Sequence, residues 1–355
     1  MQSANATWPL CVPPCGDEIT SSWLVRVAHA YNETPTTLAR LAWGKRAVWN
    51  RDTDLNLDPD MLEQLGTHLG LPPGSAAGTS LQAFLPRLGR LSVALVPGIL
   101  TAGIYHRTRR RHGQQYCPEC LAASPILLRH WRLAFVFSCP IHGSLLRDAC
   151  PRCDSPLAIH RSVGNDVNHC HICQAPLAIQ NTIPTAATLA AQQVLLDAWS
   201  TGSVCLGNFT VSFPEWLAGL RLLFSALQRP EFRNHVFPPL PPREERHSPL
   251  EFSRVSERAV LLPAAVWLTG KWPRRMLDHH RRSPLRAGTL IDSRRTQKPA
   301  WLVEAVQRNF PVQAQQRRTP IKVRVPSRLS TTLARRSLDL APVITRRLDR
   351  LQTRH

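Results

Sequence analysis

Cys117-Pro118-Glu119-Cys120, Cys139-Pro140-Ile141-His142, Cys150-Pro151-Arg152-Cys153 and Cys170-His171-Ile172-Cys173 set four ligand pairs along one stretch, two residues between the members of each pair. Eighteen residues separate Cys120 from Cys139, and sixteen separate Cys153 from Cys170. A two-residue gap lets a tight turn aim both side chains at one ion, and the longer gap leaves room for a hairpin that returns with the second pair. This is the spacing of two treble-clef or ribbon-like zinc sites, the first of three cysteines and a histidine, the second of four cysteines. Thiolate and imidazole suit a borderline-soft cation. A lone C-x-x-C would fit a redox centre, but four pairs in register do not. With all eight positions supplied by protein, two structural Zn2+ ions are expected, neither with an open position for water. Pro118, Pro140 and Pro151 each follow the first ligand of a pair, where a fixed φ suits the turn.

Working outward, composition sets limits. At 355 residues, two or three domains are expected, and 43% hydrophobic content allows a real core. The net charge of +20 is unevenly placed. Residues 241–355 hold 25 Lys/Arg against 9 Asp/Glu, or +16, while residues 1–240 hold 19 against 15, or +4. An arginine-rich excess of that size is the electrostatic footprint of a nucleic-acid partner. The N-terminus lacks a basic run followed by an apolar core, and the apolar stretch from Leu91 to Ile104 is broken and too short to span a bilayer. Neither a secretory leader nor a membrane partner is expected, and zinc thiolates favour a reducing, cytoplasmic setting.

The fold class expected is mainly α with a small α+β double zinc-binding module. Residues 1–16 form an extended arm containing Cys11 and Cys15, read as ordinary thiols. Residues 17–112 form a helical domain with a helix-turn-helix-like element. Its helices are a first capped by Thr20, Ser21 or Ser22, a second after Pro35, a third from Pro59 to Gly70, and a fourth from Thr79 to about Leu91. Residues 113–180 form the tandem zinc module, with Trp131, Leu133, Phe135 and Phe137 alternating as a strand that leads into Cys139. Residues 181–240 are a helical segment, with helices over Thr185–Trp199 and Pro214–Leu227. Residues 241–355 form a basic helical domain: Val255–Leu268 around Pro263, a helix through His280, one opened by Pro299, and at 330–350 either a helix-turn-helix or a basic amphipathic helical tail.

Two stretches carry a family resemblance. Asp17-Glu18-Ile19-Thr20-Ser21-Ser22-Trp23-Leu24-Val25-Arg26-Val27-Ala28 is similar to the opening of the TniQ/TnsD family of transposon target-selection proteins, with Ile19-Thr20 where Ser-Leu is common. Cys117 to Leu121, Trp131-Arg132-Leu133, Cys139 to Gly143, Leu145-Leu146 and Cys150 to Cys153 resemble that family's zinc segment almost position for position. The resemblance implies a role in directing Tn-seven-like transposons to their insertion site. Such proteins bridge a target-recognising element to an AAA+ regulator. Longer TnsD-like members read attachment-site DNA themselves; shorter TniQ-like members sit as homodimers on a CRISPR Cascade complex.

The residues themselves point to recruitment rather than chemistry. No GxxxxGK[ST] loop is present, and the acidic residues form no two-metal constellation. An enzyme is not expected. Phosphate contacts are expected from Arg107, Arg109, Arg110 and Arg111 beside the first ligand pair. Others are expected from Arg274, Arg275, Arg281 and Arg282, while base reading in a major groove is expected from Thr345, Arg346, Arg347 and Arg350 on the second helix of the 330–350 element. The competing reading is a sequence-specific zinc-ribbon transcription regulator. A zinc-dependent nucleic-acid enzyme would need an open metal position.

Overall fold

The computed structural model describes residues 7–310, leaving aside 91–95, 106–107, 163–166, 180–181, 242–247, 284–289 and 291–297. The described residues fall in one compact unit, within Met1–Pro311. Arg107 and the element expected at 330–350, with Thr345, Arg346, Arg347 and Arg350, lie outside the described residues.

The chain is mainly helical. Helices α1 (Thr20–Ala30), α2 (Pro35–Trp43), α3 (Thr53–Asn56) and α4 (Pro59–His68) open it. A two-stranded ribbon, β1 (Ile104–Tyr105) and β2 (Thr108–Arg109), precedes the cysteine-rich stretch, where α5 spans Pro118–Ala123. Then come α6 (Ala186–Thr201), an antiparallel hairpin of β3 (Ser203–Leu206) and β4 (Phe209–Ser212), α7 (Phe213–Leu227) and α8 (Pro230–Arg233). The last described helices are α9 (Val255–Thr269), α10 (Arg274–Arg282) and α11 (Ala300–Asn309).

Helix α1 is central, with Trp23, Val27 and Ala28 fully buried. None of the expected hydroxyls caps it. Its N-cap is Ile19, and the Asp54 carboxylate instead accepts from the Ser21 N–H at 2.7 Å, an anion at the helix N-terminus. Pro35 and Pro59 start α2 and α4 at the first turn, where the missing N–H costs nothing. The helix expected from Thr79 to Leu91 is instead a series of short 3-10 turns, Leu81–Phe84 and Pro86–Leu88. Pro86 cannot donate into a continuing helix, and Gly89 closes the run at φ +65°.

The strand expected over 131–137 is also absent. Arg129–Arg132 is a 3-10 turn, and only isolated bridges, Ile99 with Leu133 and Ser138 with Leu145, flank the rest. Leu133 to Phe137 are all buried, so their alternation never separated an inner from an outer face. Buried backbone must find partners, and here long polar side chains supply them. Gln192 Oε1 on α6 accepts from the N–H groups of Phe137 (2.8 Å) and Ser138 (3.2 Å). Arg258 on α9 donates Nη1 to the carbonyls of Ala134 (2.9 Å) and Val136 (3.0 Å), and Nη2 to Gln115 Oε1 (2.7 Å). Burial draws the Arg258 guanidinium down to about 10, against the opposing pull of the Asp148, Glu257 and Glu251 charges.

One apolar core therefore runs from Val12 to Phe310. Pro263 sits inside α9 without ending it, because the helix is packed on α6 and α7. Gly219 shows how close that packing is. A Cβ there would lie 2.1 Å from Trp301 Cζ2, since the α11 indole rests on the α7 backbone and donates Nε1 to the Glu215 carbonyl at 3.3 Å. Gly219→Ala should push α11 off, costing about 1–3 kcal/mol of overpacking. Limited proteolysis should then cleave near 300–310 well before the rest. Unchanged cleavage there would contradict this packing.

Candidate metal centres and basic surface

The two ligand sets are assembled as the spacing predicts. Cys117, Cys120, Cys139 and His142 converge, as do Cys150, Cys153, Cys170 and Cys173, with the ligand atoms of each set within 4.8 Å of one another. In the first, Cys120 Sγ and Cys139 Sγ are 3.6 Å apart, and His142 Nδ1 lies 3.4, 3.3 and 3.6 Å from the sulfurs of Cys117, Cys120 and Cys139. In the second, Cys150 pairs with Cys173 at 3.6 Å and Cys153 with Cys170 at 3.7 Å. A tetrahedron with metal–sulfur bonds of about 2.3 Å and metal–nitrogen bonds of about 2.0 Å has edges of about 3.8 Å (S to S) and about 3.5 Å (S to N). Both sets fit a four-coordinate cation, with all four positions filled by protein.

Local backbone explains the convergence. Cys139, Cys150 and Cys170 each begin the same knuckle. The ligand's N–H donates to a carbonyl five residues on, at Ser144, Ser155 and Ala175. Its own carbonyl accepts from the N–H four residues on, at Gly143, Asp154 and Gln174. Those last three residues all adopt positive φ, at 65°, 54° and 57°. The sulfurs take backbone N–H donors as well: Cys139 from His142 (3.5 Å), Cys150 from Arg152 (3.4 Å), Cys170 from Ile172 (3.4 Å). The first pair differs. Cys117 is the N-cap of α5 with Pro118 behind it, so Cys117 and Cys120 flank a helical first turn. The first centre thus joins a helix start to a knuckle, and the second joins two knuckles.

Within each set the electrostatics favour thiolate, the metal-binding form, at some positions and thiol at others. Hydrogen bonding with the Cys139 thiol draws Cys117 down to about 4 and pushes Cys139 up. In the second set burial pushes Cys150 up to about 12. Burial also opposes ionisation of Cys170, yet a hydrogen bond with the Ser155 hydroxyl, 3.3 Å away, brings that thiol to about 6. The Glu119 carboxylate stands 3.7 Å from His142 Nε2, on the side away from the sulfurs, where a carboxylate orients a ligating imidazole. Cys11, Cys15 and Cys205 are exposed free thiols that belong to neither set.

The sequence reading missed how firmly the two centres are held. Asp148, just before Cys150, accepts from the Val255 N–H at 2.7 Å and so sits at the N-terminus of α9. Arg254 spans Asp148 (3.1 Å) and the knuckle residue Asp154 (2.8 Å). The family-like opening works in the same way. Glu18, buried, takes Arg26 Nη2 at 2.7 Å and the Ser22 hydroxyl at 2.9 Å, while Ser22 Oγ accepts from the Leu127 N–H at 3.0 Å. Only the identity of the residues around Trp23 hinted at this; their partner Leu127 lies more than a hundred positions away.

The basic residues are dispersed. Among 109–111, Arg109 turns inward, its Nη1 buried beside Asp52, Asp54 and Arg132, and burial holds its guanidinium below the usual range. Arg110 is exposed, and the Arg111 guanidinium lies 4.0 Å above the Phe252 ring. On α10, Arg274, Arg281 and Arg282 are exposed, whereas Arg275 folds over Trp267 at 5.0 Å and donates to its carbonyl at 3.1 Å.

The described chain is thus mainly helical, with two Cys/His clusters of metal-binding geometry and exposed arginines on separate elements. The TniQ family model matches residues 9–146 of the chain. The match covers the buried Glu18–Arg26 pair and all four ligands of the first centre, and it stops before Cys150. Domains of that family are associated with target selection in transposition. No curated protein matches the chain. Among the described residues, no helix is long and apolar enough to cross a membrane.

Proposed function

We propose that this chain is a non-catalytic target-selection adaptor that links target DNA to an AAA+ transposition regulator. It engages that DNA directly through exposed arginines, or through a Cascade-type guide complex. Zn2+ would be held by Cys117, Cys120, Cys139 and His142, and by Cys150, Cys153, Cys170 and Cys173, as structural ions that fix shape. The observation carrying this reading is the pair of closed four-ligand clusters, welded through Ser22 and Leu127 to the helical unit that bears the family's opening motif. A scaffold of that kind offers surfaces and no reaction centre.

The reading is tested on the purified full chain. Metal analysis should give two zinc ions per chain, and the AAA+ regulator should co-purify. Duplex affinity should fall steeply with salt. Replacing Arg274, Arg281 and Arg282 by Ala should lower the slope of log K against log salt by about 0.9 for every phosphate no longer neutralised. Charge variants are the right probe, because truncation from 241 would also remove Arg258 and α9 from the core. One zinc with an exchangeable water would sink the structural-zinc reading, and a salt slope indifferent to the three arginines would sink direct DNA contact through them.

A further inference from the structure

Helix α10 carries an exposed stripe of a particular kind. Arg274, Asp278 and Arg281 lie at i, i+4 and i+7, one face of the helix. Arg281 Nη1 is 2.9 Å from Asp278 Oδ1, and Arg274 Nε is 3.9 Å from Oδ2. The arginine side chains are 75% and 84% exposed, so a single carboxylate holds two otherwise solvated guanidinium groups. The opposite face is clamped. Met276 is buried, and His279 Nε2 meets the carbonyls of Phe232 (3.1 Å) and Asn234 (2.9 Å), its ring 4.3 Å from Phe232. Helix α10 follows α9 after only Gly270 to Pro273, a four-residue connection containing glycine, as in helix-turn-helix units. The β3–β4 hairpin closes against that turn: a Cβ on Gly207 would lie 2.8 Å from the Trp272 carbonyl oxygen.

A surface meant only to neutralise phosphate gains nothing from an acid at its centre, since Asp278 would repel the backbone. An acid among arginines has a use where base edges are read. A carboxylate accepts from cytosine N4, and a guanidinium held in one orientation can donate two bonds to guanine O6 and N7. The dimensions agree: seven residues at 1.5 Å rise span about 10 Å, close to three base-pair steps of about 3.4 Å. We propose that α10 enters the major groove, with Arg274, Asp278 and Arg281 reading bases and Asp278 holding the two arginines in reading geometry. This rests on the direct DNA contact proposed above and adds to it the residues that set sequence preference.

The test is selection from a pool of random duplexes by the full wild-type chain and by the Asp278→Ala and Arg281→Ala variants. Both substituted side chains face solvent, so melting curves should superimpose. Wild type should enrich a motif. Arg281→Ala should lose about 10- to 100-fold of its guanine preference at one position, and Asp278→Ala should relax adjacent positions without tightening binding overall. If Asp278→Ala instead binds every duplex more tightly with its preferences intact, the stripe is a phosphate patch and the proposal falls, while direct DNA contact stands. If wild type binds no duplex of any sequence, both fall together. If no motif emerges and Arg281→Ala loses only the AAA+ regulator, the stripe is a protein-docking surface and the reading is overturned.

Discussion

Cys117→Ser should cost the chain its fold, while Cys153→Ser should cost it only one lobe. Both remove one ligand of four, and structural zinc in small modules contributes apparent binding energies of about 10–16 kcal/mol, comparable to the whole stability of a typical domain, about 5–15 kcal/mol. What differs is the surroundings. Cys117 is fully buried, caps α5, and lies beside Tyr116 and Leu121. Its centre joins the stretch that Ser22, Gln192 and Arg258 hold from three directions. Cys153 is exposed, and its knuckle reaches the rest through Asp154 and Arg254. Cys117→Ser should lose cooperative thermal unfolding and both ions. Cys153→Ser should keep one zinc and a cooperative melt, with hydrogen-exchange protection lost over about 148–177 and at the start of α9. A Cys117→Ser protein that still binds two ions and melts like wild type would show that the first centre is dispensable.

These ligands were legible because the chemistry that needs them is local. Three identical knuckles and a capped helix start each require residues within a few positions, so spacing alone exposes them. The β3–β4 hairpin was equally local and was overlooked. Gly207-Asn208, flanked by Val204, Leu206, Phe209 and Val211, is a hairpin turn between alternating apolar residues. Helical neighbours on both sides masked it. What could not be read was long-range satisfaction of buried polar groups. Nothing about Gln192 or Arg258 in isolation says that they will take the place of a strand partner for residues 134–138. The same holds for arginine in general. Arg109 and Arg111 stand in one basic run, yet one faces a buried acid pair and the other an aromatic ring. Charge density marks a nucleic-acid partner, but which cations face outward depends on contacts dozens of residues away.

The buried acid pair supplies the second large effect. Arg132, 1% exposed, donates Nη1 to Asp54 at 2.8 Å, and Nη2 to Asp52 at 2.5 Å and to the Leu100 carbonyl at 2.9 Å. Burial works against both carboxylates. On Asp52 the Arg132 charge and hydrogen bond win and hold the group below the usual carboxylate range, whereas on Asp54 burial wins and pushes it up. Arg132→Met keeps the volume and takes the hydrogen-bonded cation from two acids, leaving only the Arg109 charge nearby; one of the two, Asp54, accepts from the Ser21 N–H at the start of α1. Breaking a buried pair in this way costs about 3–5 kcal/mol. Lysine should rescue little, since one ammonium cannot reproduce a planar fork bonded to three acceptors. The pH dependence distinguishes this from simple loss of packing. Without Arg132 both folded-state carboxyls titrate higher than in wild type, so the variant's folded state binds more protons at mildly acidic pH. Stability then rises for the variant, relative to wild type, as pH falls through those raised values. Urea unfolding at pH 7 and pH 5 should show the deficit shrinking at pH 5, and Asp52→Asn with Asp54→Asn in the Arg132→Met background should recover part of it at pH 7. A deficit identical at both pH values and untouched by the two amides would mean that Arg132 acts by shape, with its charge contributing nothing.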